Sequence, residues 1–267
     1  MPVLQRGDAV VHYEAHGDGV PVLLMGGWGT YGHGNLRHAP RVLQSDYRLI
    51  VFDYRGIGAS TDDDGPATMG RLAEDAGAVL DDVGGPAAHV VGIVGMGGCI
   101  AQELAIQRPE LVRSLFLSGT WARVDAAFAD LMLAFLDAHR ESGFAAFQRL
   151  CAATAFDPDF YAEHRDRILG PTGAWSDLDG HFRTHQRLTE ACLAHDTVGR
   201  LGAVDLPALV LHAGADVITP PRLTQALANE LPNAESVEWP DLAHVVAGRQ
   251  QRTRFDELLV DFLNRVG

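Results

Sequence analysis

Histidine and cysteine are the side chains of this sequence with the widest choice of chemistry. His181 and His185, two of the 12 histidines, stand four residues apart, a helical spacing that can present two imidazoles to one metal ion. We find no third ligand beside them and therefore predict no metal site. Cys99 stands at a predicted helix start, where a thiol can become reactive, but we expect it to pack against a sheet.

Lysine is absent: all 21 basic residues are arginine, against 35 acidic residues, and the formal net charge is −14. Schiff-base catalysis and a phosphate-binding loop ending in GK[ST] are thereby excluded. No G-x-G-x-x-G follows the first predicted strand, so we predict no cofactor. The acidic balance argues against a nucleic acid or an anionic membrane as partner, because both need a basic surface.

The compartment is predicted from cysteine usage and apolar runs. The three cysteines form no CxxC pair, and the N-terminus lacks the basic-then-apolar layout of a signal peptide. The longest apolar runs, such as Val20–Met25 and Ala87–Ile93, are much shorter than the roughly 20 residues that span a bilayer. We therefore expect a cytoplasmic protein.

Short apolar runs alternate with helical patterns along most of the chain, which predicts an α/β fold with a doubly wound sheet. The predicted strands are Val20–Met25, Tyr47–Phe52, His89–Val94, Leu111–Leu117 and Ala208–His212. The predicted helices are Met69–Val83 with Thr68 as its cap, Gly97–Gln107, Pro221–Leu231 and Arg252–Val266. From about residue 124 to residue 200 the pattern is helical throughout, which indicates an insert that follows a strand.

Ligands of open parallel sheets bind at the carboxyl ends of the strands. After His89–Val94 comes Gly95-Met96-Gly97-Gly98 and then a helix start. This segment, HVVGIVGMGGCIAQELA, resembles the nucleophile elbow of the α/β-hydrolase fold family. The resemblance implies a mostly parallel central sheet flanked by helices, with a helical lid inserted after the sixth strand. We assign residues 1–122 and 200–267 to the core and residues 123–199 to the lid.

Two later turns also resemble those of the family. The turn AGADVITPP places Asp216 in the position of the family's acid, and WPDLAHV places His244 in the position of its base. The segment DYRGIGAS, Asp53–Ser60, resembles a turn that we take as structural. The resemblance implies that Asp216 orients His244 as a general acid/base; the alternative is a buried relic of an ancestral pair.

The elbow departs from the family at its centre, where Gly95 stands in place of serine, aspartate or cysteine. Glycine takes a positive φ freely and relieves the strain of the elbow, so the larger Ile93 is tolerated nearby. The change at Ile93 also argues against an engineered loss of serine. Centring the elbow on Val94 gains nothing, because valine cannot attack a carbonyl. A covalent serine mechanism is therefore not expected.

Substrate contacts are expected at the ends of the first and third predicted strands. The predicted oxyanion-binding and substrate-binding residues are Trp28, Met96, Gly27, Gly95 and Tyr31, with His33 and Asn35 as weaker candidates. The backbone amides of Trp28 and Met96 can be aimed at one oxygen, and each would contribute about 3–4 kcal/mol in a transition state.

Three functions remain open. The first is a nucleophile-free enzyme that uses His244 on a carbonyl-containing small molecule or modified peptide in specialised biosynthesis, by epimerisation, cyclisation, elimination or decarboxylation. The alternative is a hydrolase of an ester, lactone or epoxide by water that His244 activates. The third is a catalytically inactive protein that binds an apolar ligand.

Overall fold

The computed structural model describes residues 2–29 and 36–267. The described strands are β1 (Val3–Arg6), β2 (Ala9–His16), β3 (Pro21–Met25), β4 (Arg48–Phe52), β5 (Ala88–Ile93), β6 (Val112–Ser118), β7 (Ala208–Ala213) and β8 (Ala234–Trp239). They form one sheet in the order β1-β2-β4-β3-β5-β6-β7-β8. Both pairings of β2 are antiparallel and the remaining pairings are parallel. The predicted α/β-hydrolase fold, with its mostly parallel sheet, is confirmed.

Helices cover both faces of this sheet. They are α1 (Arg41–Asp46), α2 (Met69–Val83), α3 (Met96–Gln107), α4 (Ala126–Ser142), α5 (Phe144–Ala155), α6 (Pro158–Ile168), α7 (Phe182–Leu193), α8 (Pro221–Glu230) and α9 (Arg249–Val266). Helix α2 begins as predicted, because the Thr68 side chain accepts a hydrogen bond from the Arg71 amide at 3.1 Å. Within residues 2–29 and 36–267, no helix is both long and apolar enough to cross a membrane.

The core consists of two apolar clusters, one on each face of the sheet. Along β3, Val22 and Leu24 join the cluster that contains Phe262 of α9, whereas Leu23 and Met25 join the cluster that contains α2 and α3. Each such side chain, fully buried, contributes roughly 1.5–3 kcal/mol relative to its exposed state. Burial on both faces explains why β3 and its neighbours are continuous apolar runs.

The order of the strands creates the place for a site. The chain leaves β3 for β4 on one side and later returns to β5 on the other side, so the crossovers diverge from β3. The crevice at such a switch point, beyond the carboxyl ends of the strands, is where open α/β sheets bind ligands. The loops after β3, β5, β6, β7 and β8 all lie at this edge.

The turn Asp53–Ser60 is held together by its own polar groups. Oδ2 of Asp53 accepts a hydrogen bond from the Ala59 amide at 2.8 Å, and Oγ of Ser60 donates to the Asp53 carbonyl at 2.7 Å. Arg55 makes two hydrogen bonds to the Asp75 carboxylate of α2, at 2.6 and 2.8 Å. These contacts fit the structural role that the sequence predicts for this turn.

Four helices, α4 to α7, separate β6, the sixth strand, from β7. The ends of this segment meet where the Thr197 amide donates to the Ala122 carbonyl at 2.9 Å and Arg123 pairs with Asp196. That the segment acts as a lid, and that residues 123–199 form a unit apart from the core, remain predictions.

Candidate active site

The turn between β5 and α3 has a left-handed backbone at two successive residues. Val94 has a φ of 58°, and Gly95 has a φ of 89° and a ψ of −108°. A β-branched residue at such a φ is strained by roughly 1–3 kcal/mol, whereas glycine adopts it freely. The Val94 amide donates to the Ser118 carbonyl of β6 at 3.1 Å, which fixes the turn against the neighbouring strand. The backbone strain expected in the elbow therefore lies at Val94. Gly95, the residue before α3, adopts its positive φ without such strain.

Asp216 and His244 are brought together from the turns that follow β7 and β8. Nδ1 of His244 lies 2.8 Å from Oδ2 of Asp216, and both side chains are almost fully buried. Because the carboxylate can only accept, Nδ1 carries the proton of this hydrogen bond. Nε2 of His244 then keeps its lone pair, which is the tautomer that a general base needs.

The Asp216 carboxylate is held by four donors. Its Oδ1 accepts the amides of Ile218 and Thr219, each at 2.8 Å, and its Oδ2 accepts the Thr219 hydroxyl at 2.6 Å as well as His244. Burial by itself raises the pKa of Asp216. The charge of His244 and the hydrogen bonds from His244 and Thr219 outweigh burial and leave that pKa below its ordinary value. Asp216 is therefore an anion at neutral pH.

Gly119, the first residue after β6, lies between His244 and the elbow. A Cβ placed on Gly119 would lie 3.4 Å from Cε1 of His244, and the Gly119 carbonyl oxygen is 3.9 Å from the position of a Cβ on Gly95. The Trp121 ring borders the same position, with Cζ3 at 3.5 Å. Gly119 thus lies next to both His244 and the place where a side chain would stand on residue 95.

Gly27, Trp28 and Met96 lie where the sequence places them, at the ends of β3 and β5. A Cβ on Gly27 would stand 2.5 Å from the Val94 carbonyl oxygen, so the loop after β3 packs directly on the elbow. Met96 is the first residue of α3, and its amide is one of the helix-start N–H groups without an intrahelical acceptor. Trp28 is buried with its ring 4.7 Å from His185 and 6.0 Å from Phe135, between centroids.

Tyr31, His33 and Asn35 lie outside the described residues, so their predicted place in the site stays a prediction. Three residues that the sequence analysis did not single out do border the site: Gly119, Trp121 and Thr219. Thr219 had a local signal, because a hydroxyl three residues after a turn aspartate commonly bonds back to it. For Gly119 and Trp121, the sequence offered no signal other than their position just after a strand.

The side-chain partner of His185 is a histidine of another helix, whereas the sequence spacing suggests His181. Its Nδ1 lies 3.0 Å from Nδ1 of His139 on α4, and both rings are buried among aromatic side chains. Burial lowers the pKa of His185 to about 3, with a smaller contribution from His139. Among residues 2–29 and 36–267, no group of three or more His, Cys, Asp or Glu side chains is arranged to hold a metal ion.

Cys99 is fully buried in α3. Burial raises the pKa of its thiol to about 12, and its Sγ lies 3.5 Å from Oγ1 of Thr120. A thiol in this state is not ionised at neutral pH and is a poor nucleophile. Cys99 therefore packs against the sheet, as expected.

The fold, the elbow and the buried pair of Asp216 and His244 agree with one family. Residues 20–247 match the family described as alpha/beta hydrolase fold. The chain belongs to this family. In this α/β hydrolase, Asp216 and His244 lie in the turns that follow β7 and β8, and Gly95 lies in the turn between β5 and α3.

Relatives of this α/β hydrolase span nearly its whole length. It is 32% identical over 269 residues to a putative carbamate hydrolase RutD of Azorhizobium caulinodans, covering 100% of this chain and 99% of the relative. It is 33% identical over 239 residues to a putative non-heme bromoperoxidase BpoC of Mycobacterium tuberculosis, covering 87% and 90% of the two chains. A solved structure, the α/β-hydrolase enzyme MGS-M2 from a deep-sea metagenome, superposes with a TM-score of 0.86 at 20% identity and covers 98% of this chain and 97% of its own.

Proposed function

We propose that this α/β hydrolase cleaves a small acyl compound, such as an ester, lactone or carbamate, with a water molecule that His244 activates. The observation that carries the proposal is the 2.8 Å hydrogen bond between Asp216 and His244 beside Gly95. The pair supplies a base, and residue 95 supplies no side chain that could attack. Attack by water requires a base and requires no nucleophilic side chain on the protein.

The proposed reaction begins when Nε2 of His244 takes a proton from water as the water oxygen bonds to the carbonyl carbon. Negative charge then moves to the former carbonyl oxygen, for which the amides of Trp28 and Met96 are the proposed donors. When the oxyanion collapses, the bond to the leaving group breaks and His244 returns the proton to the leaving oxygen or nitrogen. Asp216 stabilises the imidazolium between these two steps.

Two contacts join the helices between β6 and β7 to the loops of the proposed site. The side chain of Trp28 packs on Phe135 and Phe147, which places α4 and α5 against the loop after β3. The Val245 amide donates to the Ala155 carbonyl at the end of α5 at 2.9 Å, so the turn that carries His244 also contacts these helices. We propose that the helices between β6 and β7 cover an apolar pocket for the substrate.

The relatives favour hydrolysis over the first hypothesis from the sequence. The printed name of the relative from Azorhizobium caulinodans is a putative carbamate hydrolase, and neither of the two relatives described above is named an isomerase, cyclase or lyase. Carbamate is therefore added to ester and lactone as a candidate substrate class. Epimerisation, cyclisation, elimination and decarboxylation by the same dyad receive no support from these relatives.

The test is a panel of esters, lactones and carbamates assayed with the purified protein in ordinary water and in D₂O. We expect release of acid and alcohol or amine, no deuterium at a substrate carbon, and no acyl adduct in the intact protein mass. Deuterium at carbon without hydrolysis would instead support proton transfer to or from carbon. Tight binding with no chemical change would support a binding protein.

A further inference from the structure

Thr219 stands at the point where the acid and the base of the site meet. Its Oγ1 lies 2.6 Å from Oδ2 of Asp216 and 3.1 Å from Nδ1 of His244, and the residue is only 1% exposed. Nδ1 already donates its proton to Oδ2 and offers no lone pair to the hydroxyl. The Thr219 hydroxyl therefore donates to Oδ2, and two donors converge on one carboxylate oxygen.

We infer that Thr219 is a positioning residue that fixes Oδ2 of Asp216 and weakens the hold of this oxygen on His244. A carboxylate oxygen shared by two donors gives each of them a weaker bond than it would give one alone. The imidazolium form of His244 is then stabilised less than it would be by an oxygen with a single donor. The ring stays oriented, while Oδ2 attracts its Nδ1 proton less strongly.

Among the donors to Asp216, the Thr219 hydroxyl is the one that competes with His244 for Oδ2. In the part of the chain that the structure describes, the Asp216 carboxylate is the charged group that bonds to the His244 ring, whereas Gly119 and Thr219 offer neutral atoms. The two amide donors to Asp216 act on the other oxygen, Oδ1. They hold the carboxylate in place but do not compete with His244 for Oδ2. Of the three donors to Asp216 other than His244, the hydroxyl is the one that a side-chain substitution can remove.

The inference concerns the same base that the proposed function uses, but its first measurement needs no substrate. In Thr219→Val the shape of the side chain is kept and the hydroxyl is lost. We expect the Nδ1 proton of His244, identified in the ¹H NMR spectrum by its absence from His244→Gln, to move downfield. We also expect the His244 ring signals to titrate at a higher pH than in the wild type. Thr219→Ser, which restores the hydroxyl, should return both signals toward their original values.

Thr224→Val is the matched control. Oγ1 of Thr224 is also buried and lies 2.7 Å from a histidine nitrogen, Nδ1 of His212, but this pair does not contact Asp216 or His244. The control removes a buried threonine–histidine hydrogen bond of the same kind and should leave the His244 signals unchanged. If Thr219→Val and Thr224→Val behave alike at His244, the inference is wrong.

With a substrate from the panel, the effect on rate becomes measurable. We expect Thr219→Val to lower kcat by up to about tenfold on the acid side of the pH profile, where more of the base is protonated than in the wild type, and to leave KM and the plateau value of kcat unchanged, because Thr219 acts through the dyad. The acid limb of the pH profile should move to higher pH. Shifted NMR signals without hydrolysis of any substrate would support the role of Thr219 and contradict the proposed function; hydrolysis with unshifted signals would do the reverse.

Discussion

Gly119, the first residue after β6, lies so close to His244 that a Cβ on it would touch the imidazole. The φ of Gly119 is +60°, and a Cβ on this residue would stand 3.4 Å from Cε1 of His244 and 3.5 Å from Oγ1 of Thr219. A Cβ here would make ordinary van der Waals contact with the base and with the residue that we propose to position it. The loop after β6 thus needs glycine for its backbone conformation, and a shift of the loop that relieved the strain of another residue would move against His244.

Gly119→Ala is therefore expected to lower both stability and activity. The positive φ should cost roughly 1–3 kcal/mol in the free energy of unfolding, and displacement of His244 should lower kcat by more than about tenfold. Urea denaturation and the hydrolysis assay measure the two effects separately.

Gly180→Ala is the control for that experiment. Gly180 has a φ of +75°, and a Cβ there would meet nothing within 4 Å. This variant should show a similar loss of stability without the loss of kcat. An equal loss of kcat in both variants would mean that the effect of Gly119→Ala is one of backbone strain and not of contact with His244.

Removal of either member of the dyad is expected to abolish most of the activity. In His244→Gln the base is lost and kcat should fall by about 10²–10⁴. In Asp216→Asn the ring loses the acceptor for its Nδ1 proton, and a loss of up to about 10⁴ is expected, as in triads whose histidine takes the wrong tautomer. His16→Gln, a change at an exposed histidine that pairs with Glu14, should leave kcat unchanged. Full activity of His244→Gln would refute the proposed mechanism.

The central strands were predictable because they are buried on both faces. Pro21–Met25 differs from the predicted Val20–Met25 by one residue at its start, and Ala88–Ile93 differs from the predicted His89–Val94 by one residue at each end. Strands β1, β2 and β8 were missed, because each mixes polar and apolar residues. In β8, AESVEW, the side chains are mostly exposed or half-buried, since this strand forms an edge of the sheet.

The residues of the candidate site that could be predicted from the sequence are those that a single local turn identifies. Asp216 and His244 were placed by the turns that contain them, and the structure brings them within hydrogen-bond distance. The contact between His139 and His185 had no such signal, because 46 residues separate the two and only the packing of α4 on α7 joins them. The same limit applies to Gly119, whose contact with His244 arises from two loops that meet in space.

Gly95→Ser is expected to change the mechanism. A Cβ on residue 95 would meet Trp121 Cζ3 at 3.5 Å, an ordinary van der Waals contact, so the side chain fits although its φ of +89° is strained. The new side chain would lie next to Gly119, which also borders His244, so we expect activated esters to give a burst and an acyl adduct in the intact mass. The wild type should give neither.

Gly95→Ala separates the effect of the hydroxyl from that of the strain. It has the same backbone conformation to adopt, and its cost should again be roughly 1–3 kcal/mol, but it has no nucleophile. No acyl adduct is expected. An adduct that forms in the wild type or in Gly95→Ala would show that another residue attacks the substrate, and direct attack by water would be ruled out.

Buried histidines should make this protein lose stability as the pH falls below about 6.5. Burial lowers the pKa of His185 to about 3 and the pKa of His89 and His195 to about 4. Between the folded and the unfolded pKa, the unfolded chain binds a proton at each of these rings and the folded chain does not. The free energy of unfolding therefore rises with pH across this window, by about 1.4 kcal/mol per pH unit for each ring.

His185→Phe tests this account within the aromatic cluster of α4, α5 and α7. Because the titrating ring is lost, the slope of the free energy of unfolding between pH 4 and 6.5 should decrease by about 1.4 kcal/mol per pH unit. Urea denaturation at a series of pH values measures the slope. A slope in His185→Phe equal to that of the wild type would mean that His185 becomes protonated in the folded protein over this pH range, beside His139, and the account would be wrong.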